Sequence, residues 1–280
     1  MHDVAVVGGG TLGRRIALMF ADRGGTVRVF DADPARAAEA AAWAQGRLSR
    51  LVAGIDGGSE GAIVAAADVA EAVAGAWLVV EAVPERLELK QRVLADLDRL
   101  APPDAIIATN SSSYPASRLI GDVARPERVV NLHFYMPPHA VAVEVMSCGQ
   151  TDPTILDMLM ARLPTFGLVP FLVHAESVGF IFNRIWAAVK REAMTVVAEG
   201  VATPEEVDRL FTMNLGAPSG PFRMMDAIGL DVVLDVEEHY AREAGGALSE
   251  APRRLLREAL AEGRLGRKSG RGFYDDYDAG

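Results

Sequence analysis

The sequence predicts an α/β fold, a doubly wound and mostly parallel sheet followed by an all-helical C-terminal domain. Three patterns predict it. Short valine-rich runs alternate with helical periods from Val4 to Val173. Runs of strand type stop after Ala175. Beyond that point apolar residues recur only at helical spacing. The 280 residues suit two domains, expected at 1–175 and 176–280.

The elements follow in order. Val4-Ala5-Val6-Val7 is a buried-type strand closed by glycines. From Thr11 the period changes: Leu12, Ile16, Met19 and Phe20 share one helix face, and Gly24-Gly25 ends it. Val27 to Phe30 is the next strand, ending at Asp31. Further strands are expected at Trp77–Glu81, Ala105–Ala108, Val129–Leu132, Val141–Val145 and Phe171–Val173. Helices are expected over Glu85–Leu100 and Pro153–Leu163.

In the second domain Phe182, Ile185, Trp186 and Val189 begin a helix that runs to Glu199-Gly200. Thr203-Pro204-Glu205-Glu206 has the form of a capping box. Ser219-Gly220-Pro221 and Asp231 start two more helices, with Gly229 as a C-cap between them.

Half of the residues are hydrophobic, enough for a sizeable core. The net charge of −10 repels phosphate backbones and argues against a nucleic-acid partner. The basic run from Arg253 to Arg271 is interrupted by acids and reads as a solvated face. Cys148 is the single cysteine, so no internal disulfide forms, which suits a reducing compartment. The opening MHDVAVVGGG is too short for a signal peptide, and no apolar run is long enough to span a membrane. A cytoplasmic protein is expected.

Gly8, Gly10 and Gly13 satisfy G-x-G-x-x-G between a strand and a helix, the context a Rossmann-type dinucleotide site requires. Gly8 would permit the tight turn, Gly10 the approach of a pyrophosphate, and Gly13 close helix–strand packing. Thr11 and Leu12 open the helix whose N-terminus would face the phosphates. Asp31, closing the next strand, would bind the adenosine ribose and repel a 2′-phosphate. The cofactor expected is therefore NAD.

Oxidising an alcohol needs a base as well as a nicotinamide. His133 is the base candidate, expected in a loop after the strand Val129–Leu132. Glu144, eleven residues on, could orient the imidazole. Asn110-Ser111-Ser112-Ser113 follows another strand and could hold a substrate oxygen, or form a turn or cap. By residue type alone, a lone histidine such as His133 is more often structural than catalytic.

With these pieces in place the chain resembles the 3-hydroxyacyl-CoA dehydrogenase family nearly end to end. The matching segments include GGGTLGRRIA (8–17), VVEAVPERLELKQRVLADLD (79–98), ATNSSSYPASRL (108–119), RPERVVNLHFYMPP (125–138), VEVMSCG (143–149), GFIFNRIW (179–186), EGVATPEEVD (199–208), GAPSGPFRMMDAIGLD (216–231) and GRKSGRGFY (266–274). The resemblance implies NAD-dependent interconversion of an L-3-hydroxyacyl thioester and its 3-oxoacyl form, as in fatty-acid metabolism. It implies Ser112 and Asn183 on the substrate oxygen, His133 as base and Glu144 as its partner. Glu81, Lys90 and Asn110 are implied on the cofactor side, and a homodimer through the C-terminal domain.

Three features depart from the family pattern. HFFNP has become His133-Phe134-Tyr135-Met136-Pro137, and the His-to-Glu spacing is one residue shorter. The stretch from Pro34 to Ala76, lysine-rich in CoA-binding members, has no lysine here. Arg36, Arg47 and Arg50 are its only cations, and Arg50 could supply a partner for a CoA phosphate. Two other readings therefore stand beside the first. The same chemistry could act on a non-CoA hydroxy acid, such as a sugar acid or carnitine-like compound, or on a carrier-bound hydroxyacyl group. The chain could also bind NAD without catalysis.

Overall fold

The computed structural model describes residues 3–277. It divides into two compact units at Ile181/Phe182.

In the first unit the elements are β1 (Val4–Val7), α1 (Thr11–Phe20), β2 (Thr26–Phe30), α2 (Pro34–Val52), β3 (Ala62–Ala65), α3 (Val69–Val73), β4 (Leu78–Glu81), α4 (Leu87–Leu100), β5 (Ile106–Thr109), β6 (Val129–Met136), β7 (Ala140–Ser147), α5 (Pro153–Arg162) and β8 (Val169–Val173). The strands form one sheet in the order β3-β2-β1-β4-β5-β6-β7-β8. Only the β6–β7 pair is antiparallel; β8 returns parallel to β7.

The sheet is buried on both faces, which is why its central strands read as unbroken apolar runs. Every residue of β1, β4 and β5 is buried. Val4 and Val6 point into a core shared with α1, α2 and α5. Ala5 and Val7 point the other way, into a core with α4. This alternation is the strand period of two.

β3 and α3 lie inside the lysine-free stretch from Pro34 to Ala76. β3 has four residues, of which Ile63 alone is buried, so it carries no strand pattern to read. His133 is a second difference. The sequence put it in a loop, whereas β6 continues through it to Met136. Antiparallel pairing with β7 supplies the backbone partners that extend β6 past the end of β5.

The second unit holds α6 (Phe182–Ala198), α7 (Pro204–Leu215), α8 (Pro221–Ile228), α9 (Leu230–Glu243) and α10 (Ala251–Ala261). Its core is built from Met194, Phe222, Met225, Leu230, Val233 and Leu256. The capping box on α7 is formed: Glu206 N–H donates to the Thr203 hydroxyl, and Thr203 N–H donates to the Glu206 carboxylate. Gly229 joins α8 to α9 at φ 105°, a backbone conformation that favours glycine. Asp226 accepts from the N–H groups of Phe273 and Tyr274 and from the Tyr277 hydroxyl, pinning the C-terminal segment to α8.

Candidate active site

The glycine loop sits where β1 meets α1. Gly8 has φ 114°, and a Cβ there would lie 2.4 Å from the Ala82 carbonyl oxygen. A Cβ on Gly13 would lie 1.9 Å from the Gly8 carbonyl oxygen. Gly10 faces open space, with nothing within 4 Å of the place a Cβ would take. Two of the glycines are thus demanded by backbone packing. The third leaves room for something outside the protein.

That room is a cavity of about 570 Å³ lined by Gly8, Gly10, Thr11, Leu12, Asp31 and Arg36, among others. Asp31 closes one end. Its Oδ2 accepts from Gly9 N–H at 2.8 Å and its Oδ1 from Asp33 N–H at 3.0 Å. The carboxylate is therefore held at the mouth of the loop. A cavity between a helix N-terminus and a strand-end acid fits the pyrophosphate and ribose of NAD.

Glu81 and Lys90 are not among the residues lining this cavity. They form a buried ion pair at 2.8 Å, with side chains 0% and 1% exposed. Glu81 also accepts from Val83 N–H and from the Thr109 hydroxyl. The pair braces the turn from β4 to α4 beside the loop. Its buried charges are tolerable because each has several polar partners.

The second constellation is the β6–β7 ladder. His133 and Glu144 are direct cross-strand partners, and Nδ1 of His133 lies 2.8 Å from Glu144 Oε2. Both are nearly buried, at 5% and 2% exposure. The shortened spacing does not separate them: they face each other across the ladder, which shifts register beyond them, between Phe134 and Met136. Glu144 Oε2 also accepts from the Tyr135 hydroxyl at 2.8 Å, and its Oε1 accepts from Ile181 N–H at 2.8 Å.

The imidazole has two aromatic neighbours. Phe180 stacks on it at 4.8 Å and 25°, and Tyr135 tilts against it at 4.8 Å. Phe180 holds φ at 54°, unusual for a bulky residue. Hydrogen bonds to Ser177 on both its N–H and its carbonyl fix that conformation. The segment after Ala175, assigned above to the helical domain, thus belongs here through Ile181.

Asn110 accepts from Phe134 N–H at 2.9 Å, tying the end of β5 beside His133. Ser111 is buried and donates to Glu85, which also accepts from Ser113 N–H. Ser112 takes part in none of these bonds and is half-buried. Arg50 is exposed in the last turn of α2. Asn183 stands half-buried in the first turn of α6, in the second unit.

Tyr135, Phe180, Ile181 and Glu85 were not singled out from the sequence. Tyr135 had a signal: it lies two residues from His133, on the same face of a strand. The others carried none. Burial and the bond to Glu144 both push the Tyr135 phenol above its ordinary pKa, so it stays a donor. Cys148 is buried and bonded to the Pro126 carbonyl, a packing role.

Comparison with known proteins agrees along the whole chain. Residues 3–176 match the family model for the 3-hydroxyacyl-CoA dehydrogenase NAD binding domain. Residues 179–276 match the model for the C-terminal domain of the same enzymes. A probable 3-hydroxybutyryl-CoA dehydrogenase of Bacillus subtilis is 34% identical, over 98% of this chain and 97% of that protein. A 5-formyl-3-hydroxy-2-methylpyridine 4-carboxylate 5-dehydrogenase of Mesorhizobium japonicum is 31% identical, over 98% of this chain and 90% of that protein. The crystal structure of (S)-3-hydroxybutyryl-CoA dehydrogenase from Ralstonia eutropha superposes with a TM-score of 0.86 at 32% identity, covering 98% of each chain.

Proposed function

Because this chain belongs to the 3-hydroxyacyl-CoA dehydrogenase family, an NAD-dependent oxidoreductase family, we propose that it interconverts an L-3-hydroxyacyl thioester and its 3-oxoacyl form, with His133 as general base. The observation that carries this reading is the 2.8 Å contact between His133 Nδ1 and Glu144. With Nδ1–H given to the carboxylate, Nε2 keeps its lone pair and takes the proton of the 3-hydroxyl. Glu144 then stabilises the imidazolium that forms. Bound NAD supplies the hydride acceptor. Ser112 donates to the oxygen as it becomes a carbonyl. The proposal for Asn183 on the same oxygen rests on the GFIFNR motif. A closed dyad favours catalysis over a purely binding role.

His133→Ala is expected to abolish acetoacetyl-CoA reduction while NADH binding, followed by fluorescence titration, stays intact. A near-normal rate in that variant would overturn the base assignment.

A second reading keeps the chemistry and changes the substrate. The relative named for a pyridine carboxylate spans 98% of this chain, and its name contains no CoA. Free acetoacetate turned over as fast as acetoacetyl-CoA would favour this reading.

The second unit is proposed to pair two copies of the chain. Leu210, Met213 and Leu215 on α7 are 60–70% exposed, a cost in water that burial against a second copy would remove. Among the described residues no helix is long and apolar enough to cross a membrane. A cytoplasmic location is proposed on the free Cys148 and the NAD requirement.

A further inference from the structure

One turn touches both members of the dyad. Phe180 stacks on the His133 imidazole, with centroids 4.8 Å and planes 25° apart. The next residue, Ile181, donates its N–H to Glu144 Oε1 at 2.8 Å. All four residues lie in the first unit.

The turn is firmly held. Phe180 is buried and packs with Met146 of β7 and Val173 of β8. Its N–H donates to the Ser177 carbonyl at 3.1 Å, and its carbonyl accepts from the Ser177 hydroxyl at 2.9 Å. Ser177 N–H donates in turn to Met146 Sδ at 3.3 Å. The turn is thus pinned to β7, the strand that carries Glu144.

Phe180 occupies a place that suits a glycine. Its φ is 54°, and Gly179 before it has φ 78°. Glycine takes such angles without strain, whereas phenylalanine stores strain there. The phenyl ring offers two things that glycine lacks: a buried apolar mass, and a flat face against the imidazole. The flat face bears on the chemistry. The bond from Nδ1 to Glu144 leaves the imidazole able to swing about that contact, because χ2 of histidine is a broad torsion. The Nε2 lone pair lies in the ring plane, so a swing re-aims the base. A near-parallel ring at 4.8 Å opposes that swing. The terminal torsion of Glu144 is equally broad, and the Ile181 N–H on Oε1 keeps the carboxylate from turning.

We propose that Phe180 is a positioning residue for the proton transfer: its ring sets the plane of His133, and its backbone delivers the Ile181 N–H to Glu144. This rests on the reading of His133 as base.

Phe180→Leu keeps a buried apolar side chain and removes the flat face; Phe180→Tyr keeps the face. NADH oxidation is followed with acetoacetyl-CoA, or with acetoacetate if wild-type enzyme reduces only that, and rates are expressed per NADH-binding site. In Phe180→Leu kcat should fall by about tenfold or more, the worth of lost alignment, with KM and NADH affinity within about twofold of wild type. Phe180→Tyr should restore kcat to within about threefold. A packing role alone gives the opposite order, since leucine is tolerated and a buried extra hydroxyl is not. That order, or wild-type kcat in Phe180→Leu, overturns the proposal. If neither variant binds NADH, Ser177→Ala decides. It frees the Phe180 carbonyl and should lower kcat by about threefold or more at constant KM, the lower worth of one hydrogen bond. An unchanged kcat there overturns the proposal. His133→Ala separates the two readings. An inert His133→Ala beside a fast Phe180→Leu removes the positioning role and keeps the base. Near-normal turnover in His133→Ala, or none by wild type on either substrate, overturns the base reading and the positioning role with it.

Discussion

The hydroxyl of Tyr135 donates to Oε2 of Glu144, the same oxygen that holds Nδ1 of His133. One carboxylate oxygen therefore serves two donors. A carboxylate already bonded to a phenol is a weaker partner for an imidazolium. Tyr135→Phe removes one donor, so the carboxylate is then held by His133 and by the Ile181 N–H. kcat for acetoacetyl-CoA reduction should change by about fivefold, the worth of one hydrogen bond that orients the carboxylate. An unchanged kcat would mean that Tyr135 only packs against the ring.

Gly10 and Gly13 should respond differently to the same added methyl. A Cβ on Gly13 meets the Gly8 carbonyl at 1.9 Å, and backbone cannot swing aside as a side chain can. Gly13→Ala should cost about 1–3 kcal/mol in stability, read by urea denaturation. Gly10→Ala meets nothing within 4 Å and should leave stability unchanged. Its effect should appear in NADH affinity, because the methyl occupies the space reserved for the pyrophosphate.

Asp31 both holds the glycine loop and faces the cavity. Asp31→Ala should weaken NADH binding about tenfold to a hundredfold, the worth of a hydrogen bond to a charged group. NADPH binding should not fall, since the charge that opposes a 2′-phosphate is gone. Paired fluorescence titrations measure both. Parallel losses would show that Asp31 acts only on the loop.

Asp22 is fully buried, and both of its carboxylate oxygens are without hydrogen-bond partners among the described residues. Burial raises its pKa to about 6. The native state therefore holds this proton more tightly than the unfolded chain. Stability falls as pH rises from the ordinary carboxylate range through about 6, and the full penalty persists above that. Asp22→Asn should raise the thermal midpoint at pH 8 and lose most of that advantage near pH 4. A pH-independent difference would refute the assignment.

What the sequence disclosed followed from local pattern strength. β1, β4 and β5 were legible because burial on both faces leaves an uninterrupted apolar run. The capping box of α7 was legible because its chemistry lies within four consecutive residues. β3 was not, because edge position leaves Ala62, Val64 and Ala65 exposed. The full length of β6 was missed because Asn131, His133 and Tyr135 interrupt its apolar residues, although they alternate strictly with them. The pairing of His133 with Glu144 is legible because an imidazole and a carboxylate in these motifs suit a dyad. The Phe180 stack and the Ile181 N–H depend on a turn with positive φ, which no local pattern announces.

The cross-strand pairing of His133 with Glu144 has a consequence for how such a protein can change. Their distance is set by ladder register, which a single-residue slip of one strand would break, leaving the two side chains on opposite faces. The turn between them is under no such demand. The ladder shifts register there, between Phe134 and Met136, while His133 and Glu144 stay paired. The proton-handling pair and the loop beside it are thus separately heritable: the first is held still by the sheet, and the second is open ground on which substrate preference can drift from one descendant to the next.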